Sequence, residues 1–398
     1  MGSAEPIDST QRIGELDVLR GFALFGVFIV HFVGGVFYQL SVDPAWQALQ
    51  KADPLQNGAL LFSDLFFLDK ANTLFATLFG MGFWVMMERL KARGVAFEMI
   101  YFRRLVVLLL IGVVNVFLIF PGDVLHVYAV LGMVLLALRG IPMWAKLGFG
   151  VILVVGGKAI GDFILPNAKQ GGTMFETVQA AAFAQGDYAN WVLTTGEAFM
   201  LREFVYGASL GWGLYLFGRF LIGAWIMERG WMDRLGENLV TIRWLAAIAL
   251  PLGLALDAAA LAIDEKFIPG PEGAYTAIHP FSVPLQALGY ALVLILLFHS
   301  RCKGIVLVFA PVGRMALTAY VLHGAVLMAL FSTIGLGFSG VMPPFACLLF
   351  LLALFGVMTA ACHWWLARYR YGPLEYVWRW ATYGERPKFR LAPAPVAA

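Results

Sequence analysis

Residues 18–38 read VLRGFALFGVFIVHFVGGVFY. The run is apolar over the roughly 20 residues a helix needs to cross a hydrocarbon layer. Only Arg20 near its start and His31 deeper in interrupt it. Its leader holds Glu15 and Asp17, and no small-residue cleavage pattern follows Phe32, so it reads as a retained helix and not a signal peptide. Runs of the same character recur near 71–87, 104–120, 123–139, 143–165, 204–227, 239–263, 281–299, 311–333 and 344–366. Of the 398 residues, 61% are hydrophobic and 13% charged, where soluble domains carry about a quarter charged; mean hydropathy is +0.79. The expected fold is all-α, a polytopic helical bundle of about ten transmembrane helices. A water-soluble enzyme is excluded.

The loops orient the bundle, because Lys and Arg collect on the cytoplasmic side. Arg89, Lys91, Arg93, Arg103 and Arg104 fall in one connection, Arg229, Arg234 and Arg243 in another, and Arg301, Lys303 and Arg314 in a third. The alternate connections are poor in basic residues: 121–123 and 334–343 have none, and 264–280 sets Lys266 against Asp264, Glu265 and Glu272. The C-terminal segment with Arg368, Arg370, Arg379, Arg386, Lys388 and Arg390 returns to the basic side. Both termini are therefore expected in the cytoplasm, with Arg93 and Arg234 inside and Gln185 and Glu272 outside. A net charge of +3 is too small and too dispersed for a nucleic-acid footprint. Cys302, Cys347 and Cys362 have neither metal-ligand spacing nor an even count, so no metal centre and no disulfide framework is expected. The chain divides into N-terminal helices at 18–165, an outward loop region at 166–203 that either caps a cavity or is plain solvated loop, and a C-terminal part at 204–398 ending in an interfacial segment, all within one membrane domain (1–398).

Ionisable groups within a bilayer are expensive, and each is a functional candidate until a partner explains it. Arg20 and His31 are eleven residues apart, a rise of about 16 Å that returns to nearly the same helix face. Two readings stay open: Arg20 is an anchor paired with Asp17 and His31 a packed neutral histidine, or the two belong to one site. Asp123 follows a Pro-Gly turn and precedes an apolar run, the position of a helix N-cap, and it also stands where it can orient His126 as a general base. Lys158 and Asp162, four residues apart, are expected to pair with each other. Asp257 lacks a local partner, and Asp64, Asp69, Lys70 and Asn72 read as an interfacial approach to the second run. His323 and Thr318 place polar groups in the ninth run. Lys158, Asp162, Asp257 and His323 together are the charge-handling groups that a secondary transporter or flippase, proton-coupled or not, would need.

Five stretches carry a resemblance. Leu16-Asp17-Val18-Leu19-Arg20-Gly21-Phe22-Ala23, Lys70-Ala71-Asn72-Thr73-Leu74-Phe75 leading into Phe79-Gly80-Met81-Gly82, and Pro121-Gly122-Asp123-Val124-Leu125 resemble the YeiB-like bacterial membrane proteins. So do Gly313-Arg314-Met315-Ala316-Leu317-Thr318 and Gly372-Pro373-Leu374-Glu375 through Trp378-Arg379 to Thr382-Tyr383-Gly384. The C-terminal half is similar to that family's domain of unknown function (DUF418), and the resemblance implies a multi-pass protein of the bacterial inner membrane. A wider one carries chemistry: Arg20 and His31, with ten residues between them, are similar to the Arg-x10-His signature of membrane acyltransferases that move acyl groups from coenzyme A to surface glycans. That resemblance implies His31 as the catalytic residue, a base or a transient acyl carrier. The expected donor is acyl-CoA, held by Arg20 and Arg314, with Asp123 and His126 as outer helpers. The acceptor is a hydroxyl or amine, such as that of a glycan or small molecule, and the other partner is membrane lipid.

Overall fold

The computed structural model describes residues 14–35, 43–184 and 186–391; Gln185 lies outside them. The described chain is all-α, its β-content a single bridge between Tyr369 and Arg390. In chain order the helices are α1 (Gly14–Ile29), continued by a π-helical turn over Val30–Gly35, α2 (Pro44–Ala52), α3 (Pro54–Phe66), α4 (Lys70–Ala92), α5 (Phe97–Leu118), α6 (Leu125–Ala137), α7 (Met143–Ile164), α8 (Ala168–Ala184), α9 (Tyr188–Met200), α10 (Leu210–Glu228), α11 (Leu239–Asp264), α12 (Ala274–Phe298), α13 (Lys303–Leu307), α14 (Ala310–Arg314), α15 (Ala316–Phe331), α16 (Pro344–Leu366) and α17 (Pro373–Tyr383).

Among the described residues, each of the ten apolar runs lies mostly on helix. Seven helices among the described residues are long and apolar enough to cross a membrane: Gly14–Gly35, Phe97–Leu118, Met143–Ile164, Leu210–Glu228, Gly236–Asp264, Ala274–Phe298 and Pro344–Leu366. Two shorter apolar helices, Leu125–Ala137 and Ala316–Phe331, correspond to the fourth and ninth runs. α4, on the second run, has length enough but carries Asn72, Thr73 and Thr77 and is not among the seven. Large apolar side chains are exposed on these helices, among them Phe163 at 87% and Val357 at 67%. An apolar surface of this extent marks contact with lipid, and the chain is a multi-pass membrane protein.

Lipid gives helices no hydrophobic reason to associate, so close approach through small residues does that work. At Gly21 an added Cβ would sit 1.9 Å from the Phe309 carbonyl oxygen, and at Gly313 1.8 Å from that of Asp17. The backbones of α1 and α14 thus touch at a reciprocal glycine pair, so the Arg20-Gly21 and Gly313-Arg314 stretches are two sides of one contact. Gly80 and Gly223 do the same for α4 and α10, against the carbonyls of Phe220 and Thr77.

The described part of the 166–203 region is mostly helical. It folds into α8 and α9, whose Trp191 is fully buried. Tyr188 Oη donates to the Leu118 carbonyl at 2.8 Å, and Phe199 packs on Phe117 and on the His126 ring. α9 therefore lies over the α5–α6 turn.

Candidate functional site: an arginine-lined cavity and a histidine pair

A cavity of about 280 Å³ opens where the basic ends of α1, α4, α5, α14 and α17 converge. Arg20, Arg89, Arg104, Arg314 and Arg379 line it, against the carboxylates Asp17 and Glu375. Arg20 is bonded to Asp17 at 2.9 Å, the local pair the sequence allows, and both face the cavity. Pairing and participation in the site are thus compatible. Arg104 stacks on Trp378 at 3.6 Å, and Trp378 Nε1 donates to the Arg104 carbonyl. Beyond the arginines the lining turns aromatic and apolar through Phe75, Phe79, Leu108, Leu125 and Tyr128 to Tyr320.

The floor on the basic side is α17, and a carboxylate holds it there. Glu375 Oε1 accepts the backbone N–H groups of Leu317 and Thr318 at 2.7 and 3.0 Å, and Oε2 accepts the Thr318 hydroxyl at 2.6 Å. These are the otherwise unpaired first donors of α15. Thr318 Oγ1 accepts in turn from Leu374 N. Burial pushes the Glu375 carboxyl up from its ordinary range, while the Thr318 and Leu317 donors act in the opposite sense. The Gly313–Thr318 and Gly372–Trp378 motifs, far apart in sequence, are thereby one structural joint.

Tyr320 also lines the cavity, and through His323 it connects to His31. His31 sits in the π-helical turn that continues α1, an irregularity common at functional sites. Its Nδ1 is 2.8 Å from Nε2 of His323, and the rings are stacked with centroids 5.0 Å apart. His323 is fully buried, and its Nδ1 bonds the Tyr320 carbonyl. A carbonyl oxygen only accepts, so His323 carries its hydrogen on Nδ1 and, when neutral, presents a bare Nε2. The contact at 2.8 Å then requires the hydrogen on His31 Nδ1, which leaves His31 Nε2 as the bare nitrogen. The Phe120 ring, 5.1 Å from that of His31, closes another side.

Asp123 and His126 come together at the α5–α6 turn. Asp123 Oδ2 accepts from Leu125 N at 2.9 Å and His126 N at 3.3 Å, so it does cap α6, and the same oxygen lies 3.2 Å from His126 Nδ1. Asn115 donates to its other oxygen. Tyr320 connects this turn to the histidine pair, since Val124 N donates to its hydroxyl at 3.2 Å. Of the five residues singled out by sequence, Arg20 and Arg314 share the cavity wall, Asp123 touches His126, and His31 is joined to Tyr320 of the wall through His323; His31, His126 and Asp123 are not in the wall itself.

His323, Tyr320, Arg89, Arg104 and Arg379 were not legible as parts of this arrangement. In sequence Arg89 and Arg104 read only as topology markers, and His323 reads as one of the transporter-like charge-handling groups. Those charges are paired otherwise than expected. Lys158 reaches Asp69 at 3.0 Å and Asp162 reaches Lys169 at 3.0 Å, so the i to i+4 pair does not form. Lys70 is not interfacial: it is 0% exposed and bonds Asp257 at 2.5 Å. His279 joins the two groups, with Nε2 3.0 Å from Asp69, and Ser282 donates to Asp257 at 2.7 Å. No group of three or more metal-ligating side chains occurs among the described residues.

The family described as a protein of unknown function (DUF418) matches residues 226–385. Over 96% of its length the chain is 31% identical to the uncharacterized protein YxaH of Bacillus subtilis, covering 97% of that protein. Over 94% it is 30% identical to the uncharacterized protein YeiB of Escherichia coli, covering 96% of it. A 39.9 kDa protein of Bacillus acidopullulyticus is 26% identical across 96% of this chain and 97% of its own. With both the matched domain and near-complete alignment to YxaH and YeiB, the chain belongs to the YeiB-like family of DUF418 membrane proteins.

Proposed function

We propose that this protein is an integral membrane acyltransferase of the bacterial inner membrane, which takes an acyl group from cytoplasmic acyl-CoA and passes it to a hydroxyl or amine presented from outside, such as that of a cell-surface glycan. The observation that carries the reading is the lining of one cavity: five arginines, an aromatic and apolar wall, and Tyr320, which connects through His323 to a histidine with a bare Nε2. Arg forks match phosphate oxygens, so Arg20 and Arg314, with Arg89, Arg104 and Arg379, hold the phosphate-bearing head of the donor. The pantetheine arm follows the wall of Phe79, Leu125 and Tyr128. In this reading the ten helical runs are crossings, the basic end is cytoplasmic, and both termini are inside.

His31 Nε2 takes the proton from the acceptor as its oxygen or nitrogen attacks the thioester carbonyl. Collapse of the tetrahedral adduct breaks the C–S bond, and the proton passes from the imidazolium to the departing thiolate. His323 is a positioning residue here: it fixes the tautomer and plane of His31 from the side away from the reacting atoms. Asp123 and His126 serve at the outer turn, where α9 shields them.

A secondary transporter or flippase is the second reading, and what favours it is the continuous run of ionisable contacts from the exposed Lys158 through Asp69, His279 and Asp257 to the buried Lys70. Protein in lipid nanodiscs incubated with acyl-labelled acyl-CoA separates the two. Label transfer or thioester hydrolysis supports the acyltransferase; an inert thioester, with solute uptake that follows an imposed proton gradient in liposomes, supports the transporter.

A further inference from the structure

Halfway along α10, Arg219 is 1% exposed, in a helix otherwise buried through Tyr215, Leu216, Phe217, Phe220 and Leu221. Its guanidinium stacks on the Tyr215 ring, 3.5 Å from the centroid. Stacking satisfies the face of the guanidinium and leaves its edge, where the N–H donors are. Nε, Nη1 and Nη2 make no hydrogen bond of good geometry. Asp69 is the carboxylate whose charge is felt in its surroundings, but Asp69 Oδ2 already takes both Lys158 Nζ and His279 Nε2, each at 3.0 Å. Asp257 is likewise committed, to Lys70 and Ser282.

The orphaned donors are not confined to Arg219. The hydroxyls of Tyr215 and Tyr275 are buried without a hydrogen bond of good geometry too. Native structures pair nearly all such groups, and a buried guanidinium with unpaired donors is among the most expensive omissions. An unpaired planar cation with a phenolic hydroxyl on the side chain it stacks against has the chemistry of a carboxylate or phosphate site.

We propose that Arg219, with the hydroxyl of Tyr215 beside it, anchors a buried oxyanion-binding site that takes a ligand bearing a carboxylate or phosphate group. The site is separate from the basic cavity, whose wall does not include Arg219, and the inference stands whether or not that cavity holds acyl-CoA.

The test uses the full chain in zwitterionic nanodiscs, with thermal unfolding followed by tryptophan fluorescence during titration with inorganic phosphate or succinate against chloride of matched ionic strength. Binding to the folded state raises Tm by an amount that grows with the logarithm of concentration past half-saturation. The expected result is a saturable response to at least one of the two oxyanions, preserved in Arg20→Ala and abolished in Arg219→Met, with the methionine variant at least as stable as the parent when no oxyanion is present. Phosphate alone or succinate alone identifies the group bound. Replacing the lipid with phosphatidylglycerol tests the headgroup as its source: a raised starting Tm with a blunted titration assigns it to lipid, and an unchanged titration to a free anion. A parent that responds to neither oxyanion in zwitterionic nanodiscs and shows no Tm rise in phosphatidylglycerol overturns the proposal. So does a response that vanishes in Arg20→Ala and persists in Arg219→Met, since the anion then sits in the basic cavity. If Arg219→Met does not fold, Arg219→Lys replaces it, with a weakened response expected because a point charge lacks the fork.

Discussion

Lys70 and Asp257 are each 0% exposed and 2.5 Å apart, joining the first residue of α4 to the interior of α11. Replacing Lys70 with Met removes a charge and leaves Asp257 with Ser282 at 2.7 Å and His279 Nδ1 at 3.6 Å. It also strips the Asp64 carbonyl of the donor that reaches it at 2.7 Å. Breaking a buried pair from one side costs about 3 to 5 kcal/mol, because the remaining charge is stranded. Asp257→Leu strands Lys70 in the same way, with only the Asp64 carbonyl remaining as a recorded bond. Removing both partners together strands neither, and exchanging a buried ion pair for apolar residues of similar volume is often neutral or stabilising. The double variant Lys70→Met/Asp257→Leu should therefore be more stable than either single variant, with a coupling energy of about 3 kcal/mol, at the upper end of what contacting residues show. Reversible unfolding of the four proteins in mixed micelles, by titration with a denaturing detergent, gives the cycle directly. Additive losses would refute the reasoning, since they mean that each group is held by something other than the other.

Three further outcomes follow from the geometry. Gly313→Ala drives a methyl group to 1.8 Å from the Asp17 carbonyl, so α1 and α14 must part; stability should fall by about 1 to 3 kcal/mol, as for overpacking generally, and donor affinity should fall with it because Arg20 and Arg314 flank the contact. Arg20→Ala should weaken acyl-CoA binding roughly tenfold, the equivalent of one charge-assisted hydrogen bond, with a smaller effect on turnover at saturating donor and partial recovery in Arg20→Lys; normal donor binding leaves Arg20 as the partner of Asp17 alone. Cysteines at positions 93 and 234 should resist a membrane-impermeant thiol reagent in intact cells while one at 272 is labelled, and labelling at 93 from outside reverses the orientation.

The helices were legible because lipid imposes a simple rule on sequence: about 20 apolar residues make a crossing. Hairpins such as Pro121-Gly122-Asp123 were legible because turn and cap chemistry is local. Partners were not. Lys158 and Asp162 satisfy the local spacing rule, yet α7 packs so that Lys158 meets Asp69, 89 residues away, and Asp162 meets Lys169. Lys70 sits where an interfacial lysine belongs, and only the packing of α4 on α12 and α11 shows it to be interior. His31 was visible by its spacing from Arg20, but His323, 292 residues distant, had no sequence signal linking the two. The glycine motifs and the Glu375–Thr318 joint lie between: each half stood out as a motif, and only the fold joins the halves.

Whether His31 Nε2 is the base of an acyl transfer is read from the initial rate of label release from acyl-labelled acyl-CoA by the parent and by His31→Asn in lipid nanodiscs, with donor saturating and an accepted hydroxyl or amine present. Asn keeps polarity and approximate size while removing the titratable nitrogen. A positioned acid or base contributes about two to four orders of magnitude, so the account predicts a loss of that size with donor binding intact. Transfer by His31→Asn at the parent rate contradicts it.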